Sequence, residues 1–323
     1  MTHTKWHTTC YGKENRTLMN DIVKITTANE LALLRASYSR DAIASSHDIK
    51  NMDIGTHVLE NKRAYPYRGF VQVQPTVKCQ PFLMFCNNDD LVALHFLWAG
   101  NVGWESTSLK IWSYLCTIAD GTVLDIGAFS GVYSLTANSL GVSNIIAYEP
   151  GRMPSIRLVD NLNANSVSNV KVVTKAVSNH VGSARFELVR DLKTLSSAGH
   201  LTDVFTGVVT EPVDVTTIDD DLNILSVGKV SLAKMDVEGA EFSALIGMKD
   251  TLSGYKPDMI IEIKPEYLSN ITEYMSEFGY TGYLIDELNC QVLDIDQPPD
   301  GLNNYFFTAS LDQLSRVREA ITI

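Results

Sequence analysis

The 323-residue sequence has no run approaching the ~18 uncharged apolar residues that a membrane span requires. It has no C-x-x-C pair among Cys10, Cys79, Cys86, Cys116 and Cys290, so neither a zinc ribbon nor a dithiol redox motif is indicated. Reduced thiols in a cytoplasmic protein are the expectation. Residues 1–12 are polar and lack the apolar stretch of a secretory signal. Positive charge is scarce: 26 Lys and Arg against 38 Asp and Glu leave a net charge of −12. That balance disfavours a nucleic-acid backbone or an anionic membrane as the main partner, since both are negative. Internal repeats and low-complexity tracts are also missing.

What is present is the composition of a globular protein, with 45% hydrophobic and 20% charged residues. A chain of this length buries a substantial core without covalent staples. The first hundred residues read as an α+β extension. Asn29–Ala44 has helical spacing with Asn29 as its N-cap, and Gly69–Val73 and Phe82–Phe85 read as strands between prolines. Leu91–Trp98 and Ser106–Ile118 read as helices. From Gly121 a regular alternation begins. Strands are expected at Thr122–Ile126, Asn144–Tyr148, Val170–Thr174, Ser231–Met235, Met259–Ile263 and Thr281–Ile285, with a last one at Tyr305–Thr308. Helices are expected at Val132–Leu140, Pro154–Ala164, Ala240–Met248 and Pro265–Phe278. Strands alternating with helices imply βαβ units and a doubly wound, mostly parallel sheet. Val189–Pro212 reads as a long polar loop, the kind that serves as a lid or binding loop.

Three segments carry chemistry. In Val123-Leu124-Asp125-Ile126-Gly127-Ala128-Phe129-Ser130-Gly131 a strand runs through a glycine turn into a helix. Glycine there permits positive φ or close approach of backbone to a ligand. A dinucleotide fingerprint would need a third glycine, and the carboxylate of Asp125 would repel a pyrophosphate. A cofactor bearing an ammonium and a sulfonium, S-adenosylmethionine, tolerates that acid. Glu149, in Ala147-Tyr148-Glu149-Pro150, follows Asp125 by 24 residues at the end of the next strand. A carboxylate at that point accepts hydrogen bonds from both ribose hydroxyls. In Lys234-Met235-Asp236-Val237-Glu238-Gly239-Ala240-Glu241 three acids crowd a strand end. The helix dipole accounts for Glu238 and Glu241, while Asp236 sits where it would face the crevice.

LDIGAFSGVYSL, AYEP, NLNAN and KMDVEGAE, in that order, resemble the FkbM family of methyltransferases, over about Trp104 to Asp286. The resemblance implies a Rossmann-like, seven-stranded sheet of the class I methyltransferase type over residues 101–323, with residues 1–100 as a substrate cap or oligomerisation arm. It implies S-adenosylmethionine as cofactor and methyl transfer to a hydroxyl on a sugar, polyketide or similar small acceptor. Carried over, Asp125, Gly127 and Gly131 would bind the methionine end, with Ala128, Phe129, Tyr133 and Ser134 beside it, and Glu149 and Pro150 would meet the ribose. Phe129 replaces the Asn usual in the motif. Glu105 is either a cofactor contact or a helix cap. Asp236, Glu238 and Glu262 are the candidate catalytic acids, and Asp236 with Glu262 is a candidate pair for Mg²⁺. His200 is a loop candidate for a base. The rival readings are a non-catalytic scaffold, a nucleic-acid methyltransferase and an NAD-dependent oxidoreductase.

Overall fold

A computed structural model describes residues 11–46, 52–187, 195, 201–202, 210–295 and 301–322. The extension comprises helices α1 (Tyr11–Ser45) and α2 (Ile54–Ala64), a hairpin of β1 (Arg68–Val73) and β2 (Phe82–Asn87), and helix α3 (Leu91–Ala99). Helix α4 (Ser106–Ile118) leads into β3 (Thr122–Ile126), α5 (Val132–Ser139), β4 (Ile145–Tyr148), α6 (Arg152–Ala164) and β5 (Val170–Val173). A second sheet follows, from β6 (Lys175–Val177), β7 (Gly182–Glu187), β8 (Leu201–Thr202) and β9 (Thr210–Thr216). The chain returns through α7 (Ile218–Ile224), β10 (Val230–Met235), α8 (Glu241–Ile246), α9 (Lys249–Gly254), β11 (Asp258–Ile263) and α10 (Pro265–Ser276). It ends with β12 (Thr281–Asp286), β13 (Gln291–Asp294), β14 (Asn303–Thr308) and α11 (Leu311–Ala320).

The main sheet runs β13-β12-β14-β11-β10-β3-β4-β5. The five strands from β11 to β5 are parallel, whereas β14 lies antiparallel to both its neighbours. Every residue of β3 and β4 is buried, as expected of a parallel strand covered on both faces. Alternate residues feed the two layers. Val123, Ile145, Leu232, Ile260 and Phe306 join the core that also holds Ala32, Met84 and Trp98 of the extension. Leu124, Ile146, Ala233, Ile261 and Phe307 join the opposite core under α7 to α10. The extension therefore shares its core with the sheet. Each Leu or Ile buried in this way contributes roughly 1.5–3 kcal/mol.

Several expectations change. The sheet has an eighth strand, β13, because Asp286 accepts from Leu288 N and Asn289 N and turns the chain back as a hairpin. Helix α1 starts well before Asn29, which is thus not its N-cap. The Asn29 side chain instead pairs with both backbone groups of Arg68, at 2.6 and 3.0 Å. Helix α2, capped by Asp53, is an element with no counterpart among the expected ones. Part of the stretch expected as a loop, 189–212, is strand: it contains β8 and the start of β9. His200 lies outside the described residues. Cys79, Cys86, Cys116 and Cys290 are free thiols, as expected. No helix among the described residues is long and apolar enough to cross a membrane.

The sheet order reverses between β3 and β10, and the ends of these two strands are locked together. Asp236 N donates to Ile126 O at 2.8 Å, while Gly127 N and Ala128 N both donate to Tyr148 O at 2.9 Å. Gly127 has φ +85°, and a Cβ on it would overlap the Asp236 carbonyl. Gly141 has the same φ but open space around it. Gly141→Ala is therefore expected to cost about 1–2 kcal/mol through left-handed backbone alone. Gly127→Ala is expected to cost at least about 2 kcal/mol more through overpacking. Urea unfolding midpoints of the two variants measure the difference.

Candidate active site

Ligands of open α/β sheets bind at the carboxyl ends of the strands where the order reverses. Two cavities open there. The first, about 60 Å³, has apolar walls from Ile126, Tyr148, Val177 and Phe186, with Glu149 and Pro150 at one side. The second, about 310 Å³, is walled by Leu91, Trp104, Val132 and Leu195, with Glu105, Lys234 and Glu262 among its polar groups. Gly127, Phe129, Asp236 and Glu238 line both, so the cavities meet at these four residues.

The turn after β3 is held by carboxylates. Glu149, 6% exposed, accepts from Phe129 N and Gly151 N, both at 2.8 Å, and so fixes the turns after β3 and β4 together. Burial pushes its pKa up to about 7 despite those two bonds. Asp125 is 1% exposed and accepts from Ser134 N and Ser134 Oγ at 2.9 and 2.6 Å. It anchors the first turn of α5 from below, and burial raises its pKa to about 6. Neither Asp125 nor Ser134 forms part of either cavity wall. Gly131 is also outside both, because its place is against Leu158 of α6, which a Cβ would overlap. Ala128 and Tyr133 line the second cavity. Of the residues expected to meet the methionine end or lie beside it, Gly127, Ala128, Phe129 and Tyr133 line a cavity, while Asp125, Gly131 and Ser134 lie behind the walls.

Glu105 sits at the N-cap position of α4 but makes no capping bond. The cap is Glu287 of the β12–β13 hairpin, which accepts from Thr107 N and Ser108 N at 2.7 and 3.1 Å. Glu105 instead faces the second cavity and accepts from the Tyr133 hydroxyl. Its carboxylate oxygens and those of Asp236 and Glu262 approach one another within 4.8 Å. Glu262 is hydrogen-bonded to Asp236, and burial together with that neighbouring charge drives its pKa up to about 10. It therefore holds a proton at neutral pH and donates it to Asp236. Burial raises Glu105 too. Burial followed by repulsion from Asp236 lifts Glu238 to about 7. Glu241 does what its position at a helix start suggests, and accepts from Gly239 N at 2.8 Å.

Glu105, Phe129 and Glu238 all have positive φ, at 37°, 49° and 56°. Three non-glycine residues in left-handed backbone around one junction is the local strain that clusters at working sites. His95 and His180 are elsewhere: His95 bonds Leu91 O and edges Trp104, and His180 is exposed beside Asn179.

Residues without an assigned role in the sequence complete the site. Lys234 is 2% exposed, donates to Asn304 Oδ1 at 3.0 Å and lies 3.8 Å from Asp236 Oδ2. A lysine inside the apolar run Val230–Met235 was the available signal for it. Asn161 and Asn165 of NLNAN bond the free edge of β2, through Phe85 N and through both backbone groups of Leu83, all at 2.7 Å. Asn165 is the C-cap of α6 as well. Arg157 adds a two-pronged pair with Asp89, at 3.1 and 3.0 Å. Leu195 N then donates to Asp89 O at 2.9 Å, which holds Leu195 at the cavity wall.

Residues 125–281 match the model of the "Methyltransferase FkbM domain". Glu105 lies before the matched span. No curated protein matches the chain. Among solved structures it is similar to a methyltransferase FkbM from Methylobacillus flagellatus KT, with 20% identity, a TM-score of 0.39 and coverage of 58% of this chain. The chain spans 43% of that protein's length. An rRNA methylase from Streptococcus thermophilus gives 10% identity and a TM-score of 0.39, covering 63% of this chain and 94% of that one. SMU.1697c from Streptococcus mutans, solved with SAH, gives 9% and 0.38, covering 62% and 96%. The motifs quoted from the sequence and the domain match agree, and residues 125–281 form a methyltransferase FkbM domain.

Proposed function

We propose that this chain transfers a methyl group from S-adenosylmethionine to a hydroxyl of a small acceptor. The observation that carries the reading is the junction of two cavities at Gly127, Phe129, Asp236 and Glu238. One cavity has the walls for a nucleoside and the other has the size of a small-molecule site. The donor set favours this cofactor over a dinucleotide. Among the described residues, the one cation lining the first cavity is Lys175, whose ammonium is on Asp221 at 2.8 Å and so is not free for a pyrophosphate. Glu149 keeps lone pairs beyond its two backbone bonds and is placed to take both ribose hydroxyls.

S-adenosylmethionine supplies, when bound, a methyl group activated by a sulfonium. The chain's own part is placement and proton management. Asp236 stands at the junction and takes the acceptor's hydroxyl proton. Glu262, already protonated, donates to Asp236 and is not a base. Trp104, Leu91 and Leu195 exclude water from the acceptor's body. The carboxylates in the second cavity disfavour an anionic acceptor, which fits a neutral metabolite better than a nucleic acid.

Calorimetric titration with S-adenosylmethionine tests the reading. Wild type should bind it and give no heat with NAD. Glu149→Gln should weaken binding about 10–100-fold, the scale of losing hydrogen bonds to a charged group. No binding by folded wild type would sink the proposal. Because Glu149 titrates near 7 in the free protein, affinity should be constant above about pH 8. It should fall as pH drops through 7, since the protonated carboxyl loses acceptor capacity. The same titration repeated from pH 5.5 to 8.5 should show that slope for wild type and a flat profile for Glu149→Gln.

A further inference from the structure

The second cavity contains a buried cation that the methyl-transfer reading has not yet used. Lys234 points from β10 into a space bounded by Glu105, Asp236 and Glu262, whose oxygens lie within 4.8 Å of one another. Three carboxyl groups at that spacing are a donor set of the sort that draws a divalent ion. Here a basic side chain is built into the chain instead. Burial works to lower the Lys234 pKa, but its acidic neighbours, Asp236 foremost, outweigh burial and raise it. The ammonium also lies 5.2 Å from the centre of the Tyr133 ring, whose hydroxyl bonds Glu105.

The donor count identifies what is missing. An ammonium has three N–H groups. One bonds Asn304 Oδ1 at 3.0 Å, and the 3.8 Å separation from Asp236 is an ion pair too long for a hydrogen bond. Buried donors are normally satisfied. Lys234 is 2% exposed, yet it lines the cavity with donors unspent among the described residues, and Asp236 lies beside them at the junction.

We propose that Lys234 is the resident cation of the acceptor cavity: its ammonium donates to the acceptor's oxygen and fills the role of a divalent ion, so that transfer needs none. The Mg²⁺ expected between Asp236 and Glu262 is then redundant, since its charge is already in place. Lys234 would stabilise the negative charge developing on the oxygen while Asp236 accepts the proton; as the oxygen–carbon bond forms, the O–H bond and the donor's methyl–sulfur bond would break, the latter's electron pair staying on the sulfur of the departing thioether. The clause about the acceptor rests on the methyltransferase reading, whereas the clause about the cation does not.

Mn²⁺ is the probe, followed by the electron paramagnetic resonance signal of the free ion in titrations of the full chain. Wild type should take up no stoichiometric Mn²⁺ to about 1 mM, the weak end of carboxylate sites. Lys234→Met should bind one Mn²⁺ per chain at least tenfold more tightly than wild type, and adding Asp236→Asn should abolish that binding. Lys234→Gln, which keeps a donor for Asn304, replaces Lys234→Met should the latter not fold. Stoichiometric Mn²⁺ binding by wild type that Asp236→Asn removes would overturn the proposal. So would the absence of binding by a folded Lys234 variant. Failure of wild type to bind S-adenosylmethionine would strike the methyltransferase reading and leave the Mn²⁺ result standing, so the two failures are distinct.

Discussion

The closure between the ends of β3 and β10 sets the geometry of everything around it. One hydrogen bond, from Asp236 N to Ile126 O, and one glycine with no room for a side chain bring two strand ends to van der Waals contact. Asp236 owes its place at the meeting of two cavities to that contact. The turn carrying Phe129 is then fixed from the other side by Glu149, whose two oxygens tie it to the start of α6. Backbone groups do most of this positioning. The side chains facing the cavities are therefore free to serve a ligand.

The electrostatics follow from the same crowding. Packing the strand ends together removes water from Asp125, Glu149, Glu105 and Glu262, and desolvation raises the pKa of each. The consequences differ with the partner. Asp125 and Glu149 are wrapped by N–H and O–H donors and remain the least shifted of those with stated values, whereas Glu262, beside another carboxylate, retains its proton. Lys234 balances the group, and a polar network this dry is worth having only when its members have partners.

Much of this was legible in the sequence because it lies in local signals. The run from Thr122 to Ile126, the glycine turn and Glu149 at its 24-residue spacing give the sheet's centre and the strand ends where the cavities meet. The packing inside that turn was not legible. The motif does not show that Asp125 turns toward Ser134 or that Gly131 packs against Leu158, because both partners lie outside the turn's own sequence. The cap of α4 comes from Glu287 and not from Glu105, since a cap supplied from 180 residues away leaves no trace near the helix it caps. Strand β13 and the small sheet of β6 to β9 were missed because short strands half exposed to solvent lack a continuous apolar run.

The grip of α6 on β2 has a consequence for how the extension is attached. Asn161 and Asn165 contact the hairpin through Phe85 N and the two main-chain groups of Leu83, and Arg157 adds Phe85 O. All of these partners are peptide groups, which every residue type except proline supplies alike. The socket recognises an extended strand and is blind to the side chains that strand carries. Residues along β2 are thus free to diverge in their side chains while the docking of its backbone on α6 stays the same.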